Sequence, residues 1–273
     1  MVVHDLLVVG LGPAGVTAVV QARRDGLDVV AVGDEPPEGL VAAARRIENL
    51  PVWPQGIAGR VLARRMARWV RTSNAAVVQD TVIALDRTDS GIFSCTTRRG
   101  AVFLARSVCL APGTRPVPLP PELFGLGCPV FRDIRNLPRR KGAVVAVVGG
   151  GDAAFDTALS VADLGMRPVL WVRGKVKASQ GLVEEVEARR IPVAASLIPE
   201  AELVVACIGR EVRDELLLAL LPEGLPRDIC TAVPGLFVAG DAIRGRERFV
   251  ATAMGDGQRA AIMAREYLGG GDT

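Results

Sequence analysis

DLLVVGLGPAGVTAVVQARRDG, residues 5–26, decides the fold. An apolar run, Leu6–Val9, is long enough for a strand buried on both faces. Gly10-Leu11-Gly12-Pro13-Ala14-Gly15 then fits G-x-G-x-x-G, and an apolar-periodic stretch follows that stops at Gly26, a helix C-cap residue. In this pattern Gly10 permits the tight turn, Gly12 lets a pyrophosphate approach the backbone, and Gly15 lets helix and strand pack closely. The free amides of a helix N-terminus stabilise phosphate charge. A second strand, read over Leu27–Glu35, completes a β-α-β unit of the dinucleotide-binding kind. Asp34 and Glu35, where that strand ends, are the candidates for a ribose carboxylate; the alternative is a solvated turn.

The pattern repeats. Val144–Val148 precedes Gly149-Gly150-Gly151-Asp152-Ala153-Ala154, a G-x-G-x-x-A turn, and a second helix and strand follow. Arg173, Lys175 and Lys177 lie beyond that strand, where cations hold a 2′-phosphate; a solvated turn is again the alternative. Two fingerprints point to two nucleotides, one per domain. Between them, 75–112 reads as short strands, and 113–122, with four prolines, cannot continue helix or central strand and reads as a linker. A further linker is expected near 222–235. Residues 57–73 read as an amphipathic helix with Val61, Leu62, Met66, Trp69 and Val70 on the apolar side and arginines opposite. The chain closes with Gly235–Asp241, a strand ending in Gly-Asp, and a helix from about Ala253 to Leu268. The fold class is α/β with two Rossmann-like domains.

The bulk numbers agree with this. The chain has 273 residues, 49% of them hydrophobic, and a mean hydropathy of +0.30. No apolar run reaches the ~20 residues that span a bilayer, and nothing at the start resembles a signal peptide, so no membrane partner and a cytoplasmic location are expected. The net charge of +3 is too small to argue for nucleic acid. The basic run Arg132–Lys141 reads as a solvated loop. Cysteines stand at 95, 109, 128, 207 and 230 with no C-x-x-C, so neither a zinc site nor a local redox pair is indicated. Cys95, Cys109 and Cys207 fall in strand-like runs and read as inert core residues.

Together these motifs resemble the low-molecular-weight thioredoxin reductases and their flavoprotein relatives, over nearly the whole chain. GLGPAG resembles that family's FAD fingerprint. Glu48-Asn49-Leu50-Pro51 resembles its ENxPG segment, and Ala111-Pro112-Gly113-Thr114 its ATGA. GGGDAA resembles the NADPH fingerprint, and Val205–Gly209 the strand before IGxxPN. GLFVAGD, followed by RFVATAMGDGQRAA from Arg248, resembles its FAD-closing segment. The resemblance implies a three-layer ββα fold: an FAD domain, 1–115 plus 233–273, interrupted by a trimmed nucleotide domain, 116–232. It implies that Gly10, Gly12, Pro13, Ala14, Gly15, Asp34, Glu35, Gly39, Leu40, Asn49, Val82, Ala111, Pro112, Gly113, Gly240, Asp241, Arg248, Phe249 and Val250 line FAD. It places Gly149, Gly150, Gly151, Asp152, Ala153, Arg173, Lys175, Lys177 and Gly209 at the second nucleotide, NAD(P)H or a second FAD. It also implies a homodimer.

The resemblance breaks at the redox centre. Counting back from GGGDAA, the place of the family's C-x-x-C reads Phe131-Arg132-Asp133-Ile134-Arg135-Asn136. Cys128 is close but alone: either inert, or a redox thiol paired with Cys230 or another subunit. The HRRxxxR signature survives only as Arg173, Lys175 and Lys177. Phe249 replaces the glutamine of the family's RQA, beside the flavin ring or in a dimer interface. Three functions stay open. The first is an FAD enzyme fed by reduced nicotinamide that serves an acceptor other than thioredoxin, such as a ferredoxin- or flavodoxin-like protein or a small molecule. The second is a two-flavin or ferredoxin-fed disulfide oxidoreductase. The third is a non-catalytic flavin-binding sensor or subunit.

Overall fold

In the computed structural model, which describes residues 2–34, 39–196 and 200–269, the chain forms two compact units. The first comprises 1–42, 48–115 and 212–273; the second comprises 43–47 and 116–211. Glu35, a candidate ribose carboxylate, lies outside the described residues.

The first unit is built on strands β1 (Val3–Val9), β2 (Val29–Val32), β3 (Ala76–Val78), β4 (Val82–Arg87), β5 (Phe93–Thr97), β6 (Val102–Leu110) and β14 (Leu236–Val238). They form one sheet in the order β3-β2-β1-β6-β5-β4, with β14 added to β6. β6 is the pivot. Leu104–Leu110 pair parallel with β1, Val102–Ala105 pair antiparallel with β5, and the last three residues pair parallel with β14. Helices α1 (Pro13–Arg24), α2 (Gly59–Thr72) and α6 (Val250–Tyr267) belong to this unit. Leu6, Leu7, Val8 and all of β2 are buried, as a parallel sheet covered on both faces requires.

The second unit is a five-stranded, all-parallel sheet in the order β11-β10-β9-β12-β8. Its strands are β8 (Val130–Phe131), β9 (Val144–Val148), β10 (Arg167–Trp171), β11 (Val193–Ala194) and β12 (Leu203–Ala206). Helices α3 (Asp152–Asp163) and α4 (Gln180–Ala188) cover one face through Phe155, Leu159 and Val186. The other face is covered by Leu119, Leu123, Leu126 and Cys128. The proline-rich stretch is therefore more than a linker: the loop after it carries apolar side chains onto a sheet face that no α-helix among the described residues covers.

Two short strands, β7 (Thr114–Pro116) and β13 (Arg210–Val212), pair where the chain leaves and re-enters the first unit. Residues 212–232, expected with the second domain, pack with the first. Helix α5 (Glu215–Leu220), which no sequence signal marked, inserts Leu217 into the same core as Leu7, Phe93 and Leu110, and Leu221 follows it there.

Residues 43–47 pack with the second unit through Arg45. Its amide donates to Asp156 (2.8 Å), and its guanidinium reaches Asp163 (2.6 Å) and Glu185 (2.8 Å), which Arg189 also contacts. Burial pushes both carboxyls up, but the guanidinium hydrogen bonds outweigh it and hold both below the ordinary range. Folded pKa values below the unfolded ones give stability that is full above pH 5 and lost as acid protonates the pair. Denaturant unfolding between pH 5 and 3 is expected to show this loss, about 1 kcal/mol or less because Asp163 is open to solvent. Arg45→Met is expected to flatten the slope; an unchanged slope would remove this role.

No helix among the described residues is long and apolar enough to cross a membrane.

Candidate functional site

The sheet of the first unit has a switch point. From β1 the chain crosses to β2 on one side, and β6 lies on the other, so the C-terminal ends of β1 and β6 leave a crevice between divergent connections. The glycine turn fills it. Gly10 takes φ +96°, and a Cβ there would lie 2.2 Å from the carbonyl oxygen of Ala111. A Cβ at Gly15 would lie 1.8 Å from the carbonyl oxygen of Gly10. Both positions exclude a side chain because backbone already occupies the space. A Cβ at Gly12, by contrast, would meet nothing within 4 Å, and the same holds at Gly113. The turn is thus tight where protein packs on protein and open where a phosphate would lie.

Around that opening the predicted elements converge. The Ala111 amide donates to the Val9 carbonyl (2.8 Å), and that of Ala239 to Leu110 (2.9 Å), so the ends of β1, β6 and β14 are locked side by side. Pro13 occupies the first turn of α1, and Gly12 is the N-cap without a side-chain cap, so the Ala14 and Gly15 amides are available to an anion. Gly240 takes φ +77° against Ala14. Phe249 is the N-cap of α6, 45% exposed, beside Arg248 and Val250. Asp34 is exposed just after β2. Gly39 and Leu40 open a 3-10 turn, Asn49 is exposed in the loop beyond, and the Val82 side chain is buried in the core. These four lie on three separate segments, and their assignment to FAD rests on the resemblance alone.

Three residues that hold this site together carried little signal. Gly257 lies so close to α1 that a Cβ would sit 1.9 Å from the Ala14 carbonyl oxygen. Asp256 is 3% exposed; it accepts from the Gly240 amide (3.3 Å) and from Arg244 Nε (3.0 Å) and Nη2. A glycine inside a helical pattern asks for a packing reason, so Gly255-Asp256-Gly257 held a clue. Arg244 held none.

The second unit repeats the geometry at its own switch point, between β9 and β12. Gly149, at φ +144°, would place a Cβ 2.3 Å from the Cys207 carbonyl oxygen, and Gly151 faces open space. The buried third position is Ala154; Ala153, expected at the nucleotide, is exposed on the first turn of α3. Asp152 Oδ1 accepts from the Ser179 amide (2.6 Å). The Lys177 amide donates to the Gly150 carbonyl (2.6 Å), which ties loop 173–178 to the glycine turn. Arg173, Lys175 and Lys177 are exposed on that loop, with no ion-pair partner among the described residues. Gly209 takes φ +119° beyond β12.

Arg132 and Asp133 stand at the end of β8, next to the end of β12. Arg132 Nη2 donates to the Val117 carbonyl, while its Nε is buried without a partner. Asp133 caps the next 3-10 turn by accepting from the Arg135 amide (2.8 Å). Burial pushes its carboxyl up, but hydrogen bonds from Arg135 and the charges of Arg135 and Arg210 hold it below the ordinary range. Burial pushes the Cys95 and Cys109 thiols up to about 12, and that of Cys207 to about 11 against the opposing effects of Thr157 and Arg132. All five cysteines are free. Cys128 packs half-buried in the apolar cluster with Leu123 and Trp171. Cys230 belongs to the other unit, with its Sγ 3.8 Å from the Met263 sulfur. No group of three or more metal-ligating side chains occurs among the described residues.

A family model for pyridine nucleotide-disulphide oxidoreductases matches residues 4–195. The chain belongs to the pyridine nucleotide-disulphide oxidoreductase family. It is an enzyme of the FAD-dependent, thioredoxin-reductase-like class. The thioredoxin reductase of Treponema pallidum is 28% identical over 97% of both chains. Among solved structures, Lactococcus lactis thioredoxin reductase superposes with a TM-score of 0.84 at 19% identity, covering 98% of this chain and 99% of that one. Thioredoxin reductase from T. acidophilum gives 0.78 at 22% identity, covering 98% of each. These two structures support the two-Rossmann-domain fold.

Proposed function

We propose that this oxidoreductase takes electrons from NADPH through one FAD per chain and passes them to an acceptor other than a thioredoxin served by a C-x-x-C relay. One observation carries the acceptor's exclusion: Arg132-Asp133-Ile134-Arg135 occupies the place of the dithiol, and the sequence holds no C-x-x-C. FAD, when bound, supplies a ring that accepts hydride and releases electrons singly or in pairs. The chain's residues bind and orient. The Ala14 and Gly15 amides would hold the FAD pyrophosphate and Asp34 its ribose, and the Asp256–Arg244 pair anchors the Gly240 amide. In the second unit the first turn of α3 faces the second pyrophosphate. Arg173, Lys175 and Lys177, unpaired and tied to the glycine turn, favour a 2′-phosphate and so NADPH over NADH or a second flavin. The acceptor is a small redox protein of the ferredoxin or flavodoxin kind or a small molecule, and the active assembly is a homodimer.

Anaerobic titration followed at the flavin absorbance near ~450 nm tests this. NADPH is expected to bleach the flavin. Neutralising Arg173, Lys175 and Lys177 together with glutamine is expected to raise the KM for NADPH by roughly tenfold or more while leaving that for NADH unchanged. A flavin that stays oxidised with both nucleotides, or two flavins per chain, would overturn the donor assignment. Turnover with a thioredoxin would overturn the acceptor assignment.

A further inference from the structure

Helix α2 does not have the surface its sequence promised. Leu62, Ala63, Met66, Ala67 and Val70 are buried, but Val61 (39% exposed) and Trp69 (53%) are not on that apolar side. At about 100° per residue they fall on the outer half of the helix, with Arg60, Arg64, Arg65, Arg68 and Arg71. The helix contains no acidic residue. Arg60, Arg64, Arg65 and Arg68 have no ion-pair partner among the described residues. Arg65 lies over the Trp53 ring, 5.6 Å from its centroid, and Val52 beside Trp53 is 70% exposed.

Like charges spaced i, i+4, such as Arg60/Arg64 and Arg64/Arg68, cost a few tenths of a kcal/mol each in an isolated helix. Arg60, Arg64, Arg65 and Arg68 thus concentrate positive charge with no ion-pair partner among the described residues and set Trp69 and Val61 among it. Arginine and tryptophan are the residues that anchor protein interfaces, and stacking of Arg65 on Trp53 holds one anchor in place beforehand. A second copy does not suit this face. A two-fold contact centred on it sets arginines against arginines. Charge complementarity selects an acidic surface.

We propose that the outer face of α2, with Trp53 and Trp69, docks an acidic protein of the small electron-carrier kind. This deepens the proposed function, resting on its protein-acceptor reading, and is therefore tested by binding apart from turnover. The FAD-loaded wild type and the R64E/R65E/R68E variant are compared by biolayer interferometry against an acidic ferredoxin and a flavodoxin, at low and high salt. Wild type is expected to bind at least one carrier, with an affinity that falls as salt screens the charges, and the variant at least ~tenfold more weakly. Ferricyanide reduction with NADPH is expected to be equal in both proteins, which separates docking from the donor assignment. Trp69→Ala is expected to weaken binding with little change in its salt dependence. Equal binding by wild type and R64E/R65E/R68E, or none by wild type, would overturn the proposal. So would a change in oligomeric state in the variant, which assigns the face to a second copy. Arginine-dependent capture of phosphatidylglycerol vesicles or duplex DNA without carrier binding would also overturn it.

Discussion

Gly15→Ala is expected to leave a folded chain that loses its FAD on gel filtration. The added Cβ would lie 1.8 Å from the Gly10 carbonyl oxygen and 2.9 Å from its carbon. Both are backbone atoms of the turn, so no side chain can swing aside. Relief requires α1 to lift from β1, which moves the Ala14 and Gly15 amides off the line on which Gly12 leaves space for a phosphate. Overpacking of this kind costs about 1–3 kcal/mol, and each 1.4 kcal/mol taken from binding is tenfold in Kd. The second fingerprint supplies the control. Ala154 already fills the corresponding position, and its side chain is fully buried there. Ala154→Gly is expected to cost only ~1 kcal/mol, the helix penalty of glycine. Flavin content per chain and thermal unfolding of both variants check this. A Gly15→Ala protein that retains stoichiometric FAD would show that the tight crossing is not what positions the site.

Asp256→Ala is the second large effect. The carboxylate is 3% exposed and serves both Arg244 and the Gly240 amide. Its removal strands a guanidinium and a backbone donor together, and breaking a buried pair from one side costs about 3–5 kcal/mol. Arg244 is partly open to water, so the lower end applies, and a Tm drop of roughly 10 °C is expected for a chain of this size. Flavin affinity is expected to fall as well, because the Gly240-Asp241 bend loses its anchor. R244M/D256L separates the two effects. Replacing both partners removes the stranded charge, so stability is expected to return in large part while flavin affinity does not. Equal recovery of both properties would make the pair structural only, and an Asp256→Ala protein with wild-type Tm would refute the buried-pair account.

Much of the fold was legible because it depends on local rules. Gly10 and Gly149 need positive φ, which few other residues tolerate, and fully buried parallel strands such as β9 are written as unbroken apolar runs. Two glycine fingerprints in strand–turn–helix context therefore fixed two nucleotide units, and the missing cysteine pair was a fact of spacing. What escaped was decided by neighbours distant in sequence. Residues 212–221, just ahead of the expected linker, read as part of the second domain, yet Leu217 and Leu221 fill the core of the first unit. The proline-rich stretch looks like a spacer, yet it leads Leu123 and Cys128 onto a sheet face that no α-helix among the described residues covers.

The composition of α2 marked it as amphipathic, but an arc of five arginines leaves two assignments for Val61 and Trp69, and only packing against the rest of the unit, α1 included, chose the outer one. Arg244 is an ordinary charged residue in the sequence, and Asp256 is marked only by the motif around it. Folding α6 against α1, close enough that Gly257 admits no side chain, buries the carboxylate and gives it two donors. By itself the sequence determined where backbone must turn sharply and which strands are buried, because those needs are met residue by residue. Only the tertiary structure decided which charges are paired and which remain free for a partner, because pairing depends on the side chains that packing brings within hydrogen-bond reach.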